Sequence, residues 1–194
     1  LYIDSEIAIT RHQRDRNSAK SARVLDHSIL LYDESGRSVR RVHEILAIGS
    51  RSAAEKFGEL GLPEDAIPLA VYTRKEGGQI LFAESVAGKS SLSLPDLAAG
   101  DFIVATYLEP NDEAGTTDGL FLSQRSYFGD YGLGIDHQRL DILPPKGSDP
   151  MVERRLDAPK GQPFTSMGRT GIRFEARAIG PIRDEPRGPV AEAI

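Results

Sequence analysis

The sequence contains no cysteine. This absence excludes disulfide bonds, thiolate metal sites and a cysteine nucleophile within the chain. It does not identify the compartment, because many exported proteins also lack cysteine. The chain starts at Leu1 without a charged segment followed by an apolar run, so we expect a fragment or excised domain whose targeting signal lies elsewhere.

Long apolar runs and basic blocks are also missing. Without a run of membrane-spanning length, we expect no membrane insertion. The chain has 24 lysines and arginines against 29 acidic residues, a net charge of -5, which argues against nucleic-acid and anionic-lipid partners. The one basic stretch, residues 11–16, is short and contains Asp15. At 194 residues, the chain is expected to form one domain.

What the sequence does contain is a series of short segments with a two-residue hydrophobic period, separated by turn signals. This pattern predicts a mainly β protein, an antiparallel β-sandwich. One short helix is expected from Ser52, where Ser-Ala-Ala-Glu has capping-box spacing, to Gly58. We predict an N-terminal arm or linker at residues 1–21, with a helical turn opened by Ser5, a β domain at 22–182, and a Pro/Gly-rich linker at 183–194.

Two local features give sharp structural expectations. The alternation near the C-terminus predicts that Ile172, Phe174 and Ala176 are buried while Arg173 and Arg177 are exposed. The chain must also reverse between Pro95 and Phe102, so Gly100 is expected to have a positive φ and Asp101 to begin the next strand.

Few residues suggest chemistry. The four histidines, His12, His27, His43 and His137, lack metal-ligand spacing, and no G-x-S-x-G motif is present. The acidic loop at Asn111, Asp112, Glu113 and Asp118 lacks the order of a calcium loop. We therefore expect no catalytic, cofactor or metal residues. Scattered carboxylates leave a hydrolase as a weak alternative.

The segment SYFGDYGLG is the candidate interaction loop. It places Tyr127, Phe128 and Tyr131 within five positions at a glycine-rich tip. Exposed aromatic side chains there would form a contact surface for a sugar or another domain. In the alternative interpretation, Phe128 faces the core and only Tyr131 is exposed.

Several motifs in order resemble one bacterial family. SLSLPDLAAGDFIVATY, residues 91–107, is similar to the signature P-G-L-x-x-G-D-x-x-x-x-x-Y of the bacterial domain of unknown function 3857. RVLDHSILLYDESGRSVRRVHEILAI resembles the first hairpin of that family, and AIPLAVYTRKEGGQI resembles the next element. RLDILPPKG is similar to a strand ending in proline, and PIRDEPRGP resembles the exit segment. The resemblance runs from about residue 21 to residue 186.

The resemblance implies an immunoglobulin-like or related β-sandwich that precedes a transglutaminase-like domain. The partner would be that downstream domain in the same polypeptide. Its catalytic cysteine, histidine and aspartate have no positions in this chain, so no catalytic residue is carried over. The expected function is a non-catalytic accessory domain that positions or regulates its neighbour. The alternative is a free-standing module that binds glycans or proteins. The compartment stays open; in a bacterial protein, export to the periplasm is one alternative.

Overall fold

The computed structural model describes residues 3–15, 20–111, 116–117, 120–121, 126–148 and 158–182. Among them, no helix combines the length and the apolar character needed to cross a bilayer. The helices are α1 (Ser5–Arg14) and α2 (Arg51–Phe57). The strands are β1 (Ala22–Tyr32), β2 (Ser38–Ala47), β3 (Glu59–Gly61), β4 (Ile67–Arg74), β5 (Ile80–Phe82), β6 (Glu84–Ser85), β7 (Ser91–Ser93), β8 (Phe102–Asn111), β9 (Thr116–Thr117), β10 (Leu120–Phe121), β11 (Gly134–Leu143), β12 (Gln162–Ser166) and β13 (Arg169–Ile179).

One large sheet organises the protein, which is mainly β as predicted. Its eight strands lie in the order β12-β13-β11-β1-β2-β8-β4-β5. The prediction of an antiparallel arrangement is wrong at one junction, because β1 and β11 pair in parallel and make the sheet mixed. A parallel pair needs a long crossover rather than a hairpin, and a two-residue hydrophobic period carries no information about strand direction.

The two faces of this sheet are covered differently. On the first face, α1 packs against β1, β2 and β8, and Ile9 is fully buried with Leu25 and Ile45. On the second face, α2 and a three-stranded sheet, β3-β7-β6, cover the part formed by β2, β4 and β8. Apolar side chains such as Ile103 and Leu94 fill that second interface. The rest of the second face, along β1 and β11, is not covered by these elements, and a pocket lies there.

Helix α1 begins at the predicted helical turn, whereas α2 begins before its predicted position. Helix α1 begins at Ser5, with Asp4 as its N-cap, so the predicted arm is in part folded structure rather than a linker. Its apolar positions fit a helical period, which a search for strand alternation overlooks. Helix α2 is capped by Ser50, whose Oγ accepts from the Ala53 amide. The prediction that Ser52 caps the helix was wrong, because Ser50, two residues earlier, is the N-cap. The prediction of a single helix was also wrong.

The local expectations are confirmed only in part. Phe174 is buried and Arg177 is exposed, whereas Ile172, Arg173 and Ala176 are half-buried. The strand lies next to the edge of the sheet, so its inner side is only partly covered. Gly100 has a φ of +95° as predicted. Strand β8 begins one residue late, at Phe102, because Asp101 is the anchor of the turn. The predicted linker at 183–194 lies outside the described residues.

Candidate functional site

The candidate interaction loop lies over the uncovered part of the second sheet face. Tyr127 and Tyr131 are 72% and 75% exposed, and Phe128 is half-buried. Neither of the two sequence-based interpretations describes this arrangement fully, since Phe128 is partly covered while both tyrosines face solvent. Of the acidic loop considered for calcium, Asp112, Glu113 and Asp118 lie outside the described residues.

A clamp from β11 holds the loop in place. The Gln138 side-chain amide donates to the Tyr127 carbonyl at 2.9 Å, and its Oε1 accepts from the Gly129 N–H at 2.9 Å. The same amide donates to Asp26 Oδ2 at 2.9 Å. Gln138 is buried, and both the nitrogen and the oxygen of its side-chain amide are hydrogen-bonded. It therefore fixes the loop relative to β1. Tyr127 is therefore presented on an ordered backbone.

Ile182, the last residue that the structure describes, holds the loop at a second point. Its N–H donates to the Asp130 carbonyl at 2.9 Å, and Ile182 forms a parallel bridge with Tyr131. A Cβ at Gly129 would lie 2.8 Å from Ile182 Cδ1, so this contact requires glycine. The structure thus brings together Tyr131 of the aromatic loop and Ile182, which are 51 residues apart in sequence.

Beneath the loop lies a cavity of about 330 Å³. Side chains from β1, β2, β8 and β11 form its floor, and residues 126–130 border it. Arg40 Nη2 donates to Ser126 Oγ at 3.1 Å, and Arg40 Nη1 lies 3.6 Å from Glu109 Oε2. At the other end, Arg23 bonds both Glu44 and Asp130. A hydrogen bond at Ser126 and an ion pair at Asp130 therefore attach both ends of the loop to the sheet.

Burial shapes the electrostatics of this pocket. It raises the pKa of Asp26 and of Glu44, which are neighbours across β1 and β2, and Arg23 opposes both shifts. Burial by itself would lower the pKa of Arg23, but Glu44 and Asp130 outweigh it and raise that pKa. Burial also raises the pKa of Tyr107. The pocket holds carboxylates whose charge is only partly compensated.

A separate polar group lies on the opposite face, under α1. Ser5 Oγ is 3.1 Å from His43 Nε2, and His43 Nδ1 is 2.8 Å from Thr106 Oγ1. This resembles a serine–histidine pair, but both residues are buried and threonine stands where a carboxylate would orient the base. Among the described residues, Ser5, His43 and Thr106 are all buried. It acts as a hydrogen-bonded part of the core.

His27, the cross-strand neighbour of His43, lies 3.4 Å from Asp141 Oδ2. Within the ranges that the structure describes, no three or more histidine, cysteine, aspartate or glutamate side chains gather in a way that could hold a metal ion. Both ring nitrogens of His43 lie within hydrogen-bonding distance of a side-chain oxygen, whereas Nδ1 of His27 is buried without a hydrogen-bond partner among the described residues.

Sequence reasoning found the aromatic loop but missed the pocket. Arg23, Asp26, Glu44 and Gln138 belong to three strands, and only their pairing brings them together. A signal existed: Asp26 and Glu44 interrupt strands that are otherwise rich in apolar residues. Burying a polar side chain without a hydrogen-bond partner costs free energy. A polar residue at an inward position of a strand therefore indicates a site or a hydrogen-bond network.

Comparisons with known proteins support the fold. A search against protein-family models found no match, and a search of curated proteins also found none. Among solved structures, the chain is similar to one from Parabacteroides distasonis ATCC 8503 described as a "putative protease". The TM-score is 0.61 at 13% identity, over 87% of this chain. The alignment spans 37% of that protein. At this identity the likeness shows a shared fold only.

Proposed function

We propose that this chain is a non-catalytic accessory domain that docks on a downstream transglutaminase-like domain and positions or regulates it. One observation carries the proposal: the exposed tyrosines of the candidate interaction loop lie beside the exit of the chain at Ile182. Ile182 lies beside Tyr131, so a domain joined downstream would be tethered near Tyr127 and Tyr131. Aromatic side chains on an anchored backbone lose little entropy on binding and are frequent energetic centres of interfaces.

The resemblance to the domain of unknown function 3857 supplies the identity of the neighbour. The solved structure from Parabacteroides distasonis supports such an arrangement, since the part similar to this chain covers 37% of a longer chain described as a "putative protease". The immunoglobulin-like sandwich belongs to the same proposal. Its two layers would be the large sheet and the smaller β3-β7-β6 sheet, which pack through Ile103 and Leu94.

The test joins the chain to its native downstream segment. Hydrolysis by that segment is compared with and without this domain, and binding of the separated parts is measured by titration calorimetry. We expect direct binding and a changed rate. Tyr127→Ala and Tyr131→Ala together should weaken binding by about tenfold or more, as expected when central aromatic contacts are lost.

Phe82→Ala is the matched control, because Phe82 is an aromatic residue that is 67% exposed on β5, at one edge of the large sheet. It should leave binding unchanged. Equal hydrolysis with and without the domain, together with no physical contact, would refute the docking role.

A second candidate function is glycan binding by a free-standing module. It is favoured by the position of Tyr127 beside a pocket that offers both donors and acceptors, a combination that suits sugar hydroxyls. A glycan array with the wild type and Tyr131→Ala decides between the two functions. Binding that is lost in the variant favours the module, and silence across all sugars counts against it.

A further inference from the structure

The pocket under the loop has an apolar floor. Ser28 on β1 lies beside Leu140 on β11 and Val42 on β2, and Val42 lies beside Tyr107 on β8. All four side chains line the cavity. In cross-strand register they form one row across four strands, and its apolar members offer a surface for methylene groups rather than for charge.

One end of this floor carries two carboxylates. Asp26 and Glu44 are directly opposite each other across β1 and β2, so their Cβ atoms are about 5 Å apart. Arg23 bonds both Glu44 and Asp130, so one guanidinium is shared by two carboxylates. The hydrogen bond that Asp26 receives comes from the neutral amide of Gln138.

The charge of the lining is incompletely balanced. Four carboxylates line the pocket together with three arginines. The guanidinium of one of these, Arg139, is bonded to Asp141, which is not a lining residue. Arg40 is paired with Glu109, and its charge also acts on Asp26, as that of Arg23 does. An additional cation at the Asp26 end would complete the balance.

We infer that the pocket receives a lysine side chain from a neighbouring polypeptide. Its ammonium would bond Asp26 and Glu44, and its methylene stem would lie on Val42 and Leu140. Lysine combines these two properties, a compact cation with three donors and a flexible apolar stem. The cavity of about 330 Å³ leaves room for the whole side chain.

The state of Asp26 without a ligand agrees with this inference. Burial raises its pKa, so the ionised form is disfavoured there. An ammonium in contact would favour the ionised form and regain that free energy on binding. Tyr127 at the rim adds an aromatic ring that can cover the stem.

The inference rests on the proposed docking role only for the identity of the polypeptide that supplies the lysine. The pocket chemistry is tested without that partner. The probe is Nα-acetyl-lysine N-methylamide, and the matched probe is Nα-acetyl-norleucine N-methylamide, which keeps four side-chain carbons but has no charge. Binding to the full chain is followed by amide chemical shifts in NMR spectra.

We expect the lysine probe to bind with a Kd on the order of 1 mM, as for a small ligand held by a few contacts. The amide signals of Gly129 and Gln138 should shift during the titration. The norleucine probe should bind about tenfold more weakly or not at all, because the charge-assisted hydrogen bonds are missing.

The decisive variant is Asp26→Asn, which keeps an acceptor for Gln138 and removes the charge. It should weaken lysine binding by about tenfold, while the control Glu64→Gln, an exposed position outside the pocket lining, should not. Equal binding of both probes, absence of shifts at the pocket, or unchanged binding in Asp26→Asn would overturn the inference.

The docking role and the lysine site can be refuted independently of each other. Lysine binding without docking on a transglutaminase-like domain would leave the pocket as a site for another polypeptide. Docking with no response to Asp26→Asn would keep the accessory role and remove the lysine contact.

Discussion

At the scale of single residues, the most informative group is the pair of buried histidines on the first sheet face. Burial, reinforced by Arg41 and His27, lowers the pKa of His43 to about 4. The neutral ring can then donate a hydrogen bond from one nitrogen and accept one at the other, with Ser5 and Thr106 as its two partners. Without such partners a buried imidazole would destabilise the core.

This shift makes stability depend on pH. The ordinary pKa of 6.5 applies to the unfolded chain, so between pH 6.5 and pH 4 the unfolded state binds a proton that the folded state does not. The stability that His43 contributes is present above pH 6.5 and is lost as the pH falls towards 4. We expect His43 to lower the free energy of unfolding by roughly 3 kcal/mol across this window, measured by urea denaturation at a series of pH values as the difference between the wild type and a His43 variant. The raised pKa values of Asp26 and Glu44 act in the opposite direction, because the folded state binds protons at these carboxyl groups more readily as the pH falls.

Two variants separate His43 from other groups. His43→Gln should flatten the profile, although part of the slope should remain because burial also lowers the pKa of His137. Asp33→Asn removes an exposed carboxylate whose pKa is lowered to about 2 by Ser35, so it should change the slope of the profile only below about pH 4. Equal slopes for the wild type and His43→Gln between pH 6.5 and pH 4 would contradict the assignment.

At the scale of elements, the turn before β8 shows how one buried side chain organises a connection. Asp101 accepts hydrogen bonds from the Ala98 and Glu76 amides and from the Lys75 ammonium. The Gly100 N–H donates to the Ile48 carbonyl at 2.7 Å. The turn therefore fastens β8 both to the hairpin after β4 and to the end of β2.

Gly100→Val should destabilise the protein. With φ at +95°, an L residue is strained, and a Cβ there would lie 3.1 Å from Glu76 Oε2. We expect a loss of about 1 to 2 kcal/mol or more in the free energy of unfolding, measured by thermal and urea denaturation. Gly61→Val is the control, because Gly61 lies in β3 and a Cβ would have no neighbour within 4 Å. Equal losses in the two variants would show that conformation at Gly100 is not the cause.

At the scale of the whole molecule, the parallel pairing of β1 with β11 decides where the loop lies. It places Gln138 beside Asp26 and lets β13 lead back along β11 to the exit at Ile182. As a result, the aromatic loop, the pocket and the exit share one region of the surface.

The isolated chain should hydrolyse neither peptides nor isopeptides and should not cross-link glutamine to lysine. A transglutaminase-like reaction needs a thiolate activated by a histidine, and the sequence has no cysteine. The serine–histidine pair that the structure reveals is sealed under α1. Purified protein is assayed against casein and a dipeptide library, with Ser5→Ala as the control for that pair. Turnover that persists through repurification would contradict an accessory role.

The sequence by itself determined the mainly β class, the turn at Gly100, the burial of Phe174 and the position of the aromatic loop. Each of these follows from a local rule: a period of two, a required positive φ, or a cluster of rings at a glycine-rich tip. It also identified a helix after Ser50, although with the cap misplaced.

Only the tertiary structure decided the direction of β11, the packing of α1 and the composition of the pocket. Arg23, Asp26, Glu44 and Gln138 come from three strands, and the pairing of those strands depends on crossovers that a local pattern does not encode. For the same reason, His43 could be recognised in the sequence as a strand residue but not as the partner of Ser5 and Thr106. Long-range contacts between polar residues are set by how strands pair, and hydrophobic periodicity alone does not specify that pairing.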